Sequence, residues 1–181
     1  MKNLESLTFE QASDESKEIF EGLKAKLGNV PNVYATIGNS SKALKGVLDF
    51  NNTLSHGEFN GKEVEAIALS VAQVNECNYC LAAHTTVGKM QGLTEDETVE
   101  IRTGDIRDEK LKALTDLAKQ MTITRGNPDQ EYINSFFGAG YNKAALAELI
   151  GFIAVNTITN YTNHIAETDI DFPVAPELET A

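Results

Sequence analysis

An all-α fold is predicted from three observations. Apolar residues recur at helical spacing in nearly every segment, capping residues and glycines mark where those segments begin and end, and no alternating apolar–polar run is long enough for a strand. Proline is scarce, with 4 in 181 residues, and 41% of the chain is hydrophobic. That suits a single domain over residues 1–181 with a real core.

The elements follow in order. Ser13 caps a helix from Asp14 to Leu27 whose Ile19, Phe20, Leu23 and Leu27 share one face, and Gly28 stops it. Gly28 to Pro31 reads as a connector, because Pro31 disfavours helix in the residue before it. Leu44, Val47, Leu48, Asn51 and Leu54 mark a second long helix that ends near His56-Gly57. Asn60 with Glu63 has capping-box spacing and opens a third, running to about Asn75. Its apolar residues go round the cylinder from Ala66 to Val74, so it should be buried on most sides. Helix resumes at the cysteines and continues to about Met90, with Gly92 at a C′ position. Thr94 and Glu97 cap a short helix to Arg102, and Asp108 opens one striped by Leu111, Leu114, Leu117, Ala118 and Met121. Asn127-Pro128 starts the next, since proline fits a first helical turn. Leu146, Leu149, Ile150, Ile153, Thr157, Ile158 and Tyr161 line the last long helix. Buried helical hairpins follow from this pattern. An internal echo at an offset of 82 sets Ile67, Ala68, Val71, Ala72, Asn78 and Tyr79 against Leu149, Ile150, Ile153, Ala154, Asn160 and Tyr161.

Charge and hydropathy exclude several function classes. A formal charge of −12 and a sequence pI near 4.6 disfavour nucleic acid, whose phosphates would repel the surface. The N-terminus lacks the charged, apolar and small-residue order of a signal peptide. No apolar run reaches the ~20 residues that span a bilayer, so no membrane role and a cytoplasmic location are expected.

Chemistry concentrates in one place. Both cysteines of the chain lie in Cys77-Asn78-Tyr79-Cys80, with His84 four residues on. In a reducing compartment such a pair points to catalysis or metal binding rather than to a structural bridge. The reactive species is the thiolate, so a site of this kind must lower a thiol pKa from ~8.5. Cys77 stands where the helix should begin, and the amides there favour its anion. Cys80 and His84 are neighbours on one face, where an imidazole can take the thiol proton. Dipole logic thus favours Cys77 and the histidine favours Cys80. If the chain reverses near Asn75-Glu76, Glu65 and His84 come within roughly 5 Å of the same level, at 1.5 Å rise per residue. Glu65 would then orient His84 as a carboxylate–imidazole relay. Alternatively, Glu65 lies at the exposed start of its helix.

Glu65, Cys77-x-x-Cys80 and His84, with this spacing, resemble the active-site signature of the alkylhydroperoxidase D-like (AhpD-like) group of the carboxymuconolactone decarboxylase family. Ala66-Ile67-Ala68-Leu69-Ser70 and Asn75-x-Cys77-x-Tyr79-Cys80 are similar to its peroxidase-related branch. Weaker similarity extends through Val30-Pro31-Asn32, Ser41-Lys42-Ala43-Leu44, Asn163-His164 and Asp171-Phe172-Pro173. The resemblance implies an all-helical AhpD-like fold and homo-oligomers, often built on trimers. It also implies hydroperoxide reduction without metal or flavin, recharged by a thiol or dithiol donor such as a thioredoxin-like or lipoyl protein. It assigns attack to Cys80, resolution to Cys77, and proton transfer to His84 with Glu65. Some relatives have histidine immediately before the second cysteine, where this chain has Tyr79.

Rival readings are a disulfide reductase acting on a protein partner, a lactone-acid decarboxylase, a non-catalytic assembly module, and zinc held by the cysteines, His84 and Glu65. A helical Cys77 would lie about 10 Å of rise from His84, too far for one tetrahedral ion. The remaining histidines carry less: His56 reads as a solvated turn residue and His164 as a favourable charge at a helix end. Tyr79 and Tyr161 read as packed aromatics with hydrogen-bonded hydroxyls.

Overall fold

A computed structural model describes residues 4–178, and among these there are nine helices and no strand. α1 (Asp14–Leu27) is capped by Ser13, which accepts from the Ser16 amide, and ends at Gly28 with φ 87°. α2 (Asn32–Ile37) is an element that periodicity does not reveal, because six residues are too few to show it. The Pro31 carbonyl starts it by accepting from the Tyr34 and Ala35 amides. α3 (Ser41–Leu54) is capped by Ser40, and α4 (Gly61–Val74) by the expected Asn60–Glu63 box.

The chain then breaks over residues 75–77. Glu76 takes a left-handed conformation (φ 55°), and the Cys77 amide donates back to the Ala72 carbonyl at 2.9 Å. α5 (Asn78–Met90) follows, with Cys77 as its N-cap. α6 (Glu95–Thr103) opens on the Thr94–Glu97 box and α7 (Glu109–Ile123) on Asp108. α8 (Gln130–Gly138) begins two residues later than expected, with Asp129 at the N-cap. Asn127 instead donates its side-chain amide to the Thr124 carbonyl, which holds it in the preceding loop. α9 (Lys143–Ala166) is one continuous helix of 24 residues.

α4 is the axis of the molecule and packs against α5, α6, α7 and α9. Its all-round burial arises because it separates two apolar clusters. Ala66, Leu69 and Ala72 face a cluster that includes Phe20, Leu44, Ile101 and both cysteines. Ile67 and Val71 face the other, built on Leu114, Leu117, Phe136, Leu149 and Phe152.

α9 departs most from expectation. Leu149 and Phe152 are buried, but Ile150, Ile158 and Tyr161 are 54%, 44% and 56% exposed, so Tyr161 is not a packed aromatic. What the helix buries beyond Phe152 is Val155 and Ala166 together with three asparagines, Asn156, Asn160 and Asn163. By length and composition α9 could cross a bilayer, contrary to the expectation that no segment would; here it is packed into the fold by one face. The internal echo pairs unlike structures, since its first copy contains the break at 75–77 and its second is unbroken helix.

After α9 the chain returns as an irregular strap. Asp171 accepts from the Asn32 amide at 3.0 Å and from the Tyr79 hydroxyl at 2.7 Å. Phe172 meets the Tyr79 ring edge-on at 5.8 Å. The expected packed role of Tyr79 is thus what the structure shows.

Candidate functional site

The turn between α4 and α5 creates the site. Because the chain reverses at Asn75–Glu76, α5 runs back along α4 and brings His84 beside Glu65. His84 Nδ1 donates to Glu65 Oε2 at 2.8 Å, which leaves Nε2 for proton exchange. Glu65 is buried rather than at an exposed helix start, and His84 is the more open of the two, its side chain 26% exposed. Burial alone would lower the His84 pKa, but the charge and hydrogen bond of Glu65, with the charge of Cys77, hold it above the ordinary value. Gly88, one turn further along α5, is where α5 closes on Glu65: a Cβ there would lie 3.6 Å from Glu65 Cβ and 2.9 Å from Leu93 Cδ1.

Both sulfurs are buried, with Cys77 1% and Cys80 2% exposed. Cys77 Sγ receives the Cys80 backbone N–H at 3.3 Å, as an N-cap side chain does. The Cys80 thiol also donates to it, and this is the largest influence holding the Cys77 pKa down to about 7. The Cys80 amide, Asn163 and the charge of His84 reinforce it, while burial opposes. Cys80 is pushed up, first because its proton is shared with Cys77, then by burial and by the Cys77 charge. As pH rises through about 7 the pair therefore loses its first proton from Cys77, and Cys80 keeps the second. Among the described residues no hydrogen bond joins His84 to either sulfur; His84 and Cys77 are coupled through charge.

A second layer comes from α9. Asn160 Nδ2 donates to Cys80 Sγ at 3.0 Å, and Asn163 Nδ2 lies 3.3 Å from Cys80 Sγ and 3.8 Å from Cys77 Sγ. Asn75, in the α4–α5 turn, donates to Asn160 Oδ1 at 2.8 Å and so fixes which end of that amide faces the sulfur. Tyr34 of α2 and Tyr79 of α5 are further titratable neighbours, and Tyr34 borders both Glu65 and Cys80. The Tyr34 pKa is raised by burial and then by the charges of Glu65 and Cys80. The sequence motif locates Glu65, Cys77, Cys80 and His84, and the structure brings all four together. Asn75, Asn160, Asn163 and Tyr34 escape it. The signal for the α9 residues was present, as asparagines at 156, 160 and 163 in an apolar helix share one face.

His56 is exposed, its Nδ1 paired with the Asn52 carbonyl at 2.7 Å, and His164 is exposed in the last turn of α9. Among the described residues no three His, Cys, Asp or Glu side chains are grouped so as to hold a metal ion.

Residues 42–122, which contain the whole motif, match the carboxymuconolactone decarboxylase family model. The chain has no match among curated proteins. Solved structures that share the fold over nearly the full length include the following three. A peroxidase-related protein from Silicibacter sp. TM1040 is 22% identical, with 93% of this chain and 92% of that chain covered and a TM-score of 0.79. An alkylhydroperoxidase AhpD core protein, peroxidase-related, from Ralstonia eutropha JMP134 is 15% identical, with 94% and 92% covered and a TM-score of 0.81. A variant of the debrominase Bmp8, in complex with 2,3,4-tribromopyrrole, is 16% identical, with 94% and 92% covered and a TM-score of 0.80.

Proposed function

We propose that this chain, an AhpD-like protein of the carboxymuconolactone decarboxylase family by residues 42–122 and by its fold, is a thiol-dependent peroxidase. The observation that carries this reading is a buried Cys77–Cys80 dithiol, its Cys77 pKa lowered to about 7, beside a histidine oriented by a carboxylate. Peroxide reduction requires a thiolate, and a thiol pKa lowered to about 7 supplies one at neutral pH.

The steps balance as follows. The Cys80 proton passes to Cys77, placing the charge on Cys80. The Cys80 sulfur attacks the distal oxygen of the hydroperoxide, so that an S–O bond forms and the O–O bond breaks. The departing alkoxide takes a proton from His84, giving an alcohol and a sulfenic acid on Cys80. Neutral His84 then receives the Cys77 proton, and the Cys77 thiolate attacks Cys80. Hydroxide leaves with the proton from His84 as water, and the disulfide closes. Two external thiols restore the dithiol by exchange and are themselves oxidised to a disulfide. Glu65 holds the imidazole through both transfers.

The near-complete burial of both sulfurs supports a small hydroperoxide over a protein disulfide as the oxidant. A reducing, cytoplasmic setting belongs to the same proposal. The test is a thiol count and intact mass before and after one equivalent of hydrogen peroxide. The wild type should lose both thiols and two hydrogens. Cys77→Ser should stop one oxygen heavier, with dimedone labelling Cys80, and Cys80→Ser should not turn over. Label on Cys77 instead would exchange the two roles. If neither thiol outpaces free cysteine, the chain is no peroxidase. Because the fold also occurs in a debrominase, 2,3,4-tribromopyrrole is the informative control: bromide release faster than peroxide reduction would reassign the substrate.

A further inference from the structure

The asparagines of α9 are absent from the Glu–Cys–Cys–His signature, yet they make the only side-chain amide contacts to sulfur among the described residues. Three features distinguish them from ordinary helix packing. Both are buried, where an amide is placed only against a partner. Both turn their N–H ends, and not their carbonyls, towards Cys80. The Asn160 orientation is enforced from behind by Asn75, whose amide occupies the Asn160 carbonyl. The Asn163 carbonyl is buried with no hydrogen-bond partner, so its orientation is held by the sulfur contacts alone.

An N–H donor stabilises a sulfur anion more than a neutral thiol. In the resting dithiol the charge lies on Cys77, which already has the Cys80 amide, the Cys80 thiol and the helix start behind it. Cys80 lies beyond the N-cap and next to a competing anion. It carries charge only if something stabilises it there. We propose that Asn160 and Asn163 form a two-amide anion hole that holds the Cys80 sulfur as a thiolate when its proton passes to Cys77, with Asn75 as the positioning residue behind Asn160. The same donors serve Cys80 as the leaving sulfur when an external thiol opens the disulfide at Cys77: the new S–S bond forms at Cys77, the Cys77–Cys80 bond breaks, and the electron pair stays on Cys80. This deepens the dithiol reading above and rests on charge reaching Cys80.

The test needs no peroxide, so its outcome separates from that of the peroxidase assay. In a Cys77→Ser background Cys80 is the sole thiol, and serine is itself a strong N-cap. The pH dependence of Cys80 alkylation by iodoacetamide is followed by intact mass. The other titratable groups around Cys80 are unchanged: Tyr34 from α2, Glu65 from α4, and Tyr79 and His84 from α5. Asn160→Leu should raise the midpoint by about one pH unit, a tenfold smaller thiolate fraction at fixed pH below it. Asn160→Asp keeps the shape and the bond from Asn75 but turns an acceptor towards the sulfur, and should raise it further. Asn163→Ala removes a group whose carbonyl is already unpartnered, which makes it the safest variant to fold, and should also move the midpoint up. Far-ultraviolet circular dichroism and the thermal midpoint report folding in each case. Folded variants whose midpoints stay where the Cys77→Ser parent has them would overturn the proposal, even with peroxidase activity intact. Raised midpoints in a chain that reduces no peroxide would sustain it and remove the peroxidase reading instead.

Discussion

The charge on Cys77 is held mainly by the thiol of Cys80, and removing that thiol is the most direct test of the site's electrostatics. Cys77 sits at about 7 rather than at the ordinary value, with the Cys80 hydrogen bond the first cause. A hydrogen bond to a charged group is worth about 1.5–3 kcal/mol. At ~1.4 kcal/mol per unit this corresponds to roughly one to two pH units. Cys80→Ala should therefore move the Cys77 midpoint to about 8–9, while the Cys80 amide and Asn163 continue to act. At pH 7 the thiolate fraction would fall from about one half to ~1–10%. The alkylation rate at pH 7 falls less, by roughly two- to eightfold, since a more basic thiolate is a better nucleophile with a Brønsted slope of ~0.4–0.5. The midpoint, not the rate, is thus the decisive quantity, and the plateau at high pH should rise as the midpoint climbs. Iodoacetamide kinetics from about pH 5.5 to 10, read by mass, measure both. Cys80→Ser keeps a hydroxyl donor and should fall between wild type and Cys80→Ala. A wild-type midpoint near ~8.5, or one that Cys80→Ala leaves in place, would refute the shared-proton account.

His84→Ala and Glu65→Gln should slow peroxide reduction by ~10²–10⁴-fold with the disulfide still able to form, checked by stopped-flow and intact mass. Because the folded His84 pKa is raised, the pair's contribution to stability is fully present below the unfolded value of ~6.5 and is lost as pH rises through the folded value. The thermal-midpoint advantage of wild type over Glu65→Gln should shrink accordingly in that direction. Self-association is also expected. Ile150, Ile158, Tyr161 and Ile165 form an exposed apolar stripe on α9, opposite the asparagines, which a second copy of the chain would cover. Light scattering should return more than the 19.7 kDa monomer, and Ile158→Lys with Ile165→Lys should restore it; a monomeric wild type would remove that expectation.

Most of the helices and the cluster of Glu65, Cys77, Cys80 and His84 were legible in the chain because the information is local. A capping box needs residues three apart, and Asn60–Glu63 and Thr94–Glu97 both form. Glu65 and His84 could be paired across a turn because two helices of known rise leave little freedom once the pivot is placed. α2 was illegible because six residues show no period, and the start of α8 slipped because a proline marks a boundary only to within a residue or two.

By itself the sequence determined an all-helical chain with one dithiol centre, a histidine one turn beyond it and a carboxylate on the neighbouring helix. Only the tertiary structure decided the rotation of α9. Periodicity favours burying Ile150, Ile158 and Tyr161, and for an isolated amphipathic helix that would be correct. Packed across the end of α4 and α5, α9 meets two sulfurs and the polar α4–α5 turn rather than a purely apolar wall. The asparagines that can donate to them face inward, and the isoleucines remain on the surface. The physical reason is that an unpaired buried polar group is more costly than an exposed isoleucine, and which polar groups face a helix is settled by its neighbours, not by its own spacing.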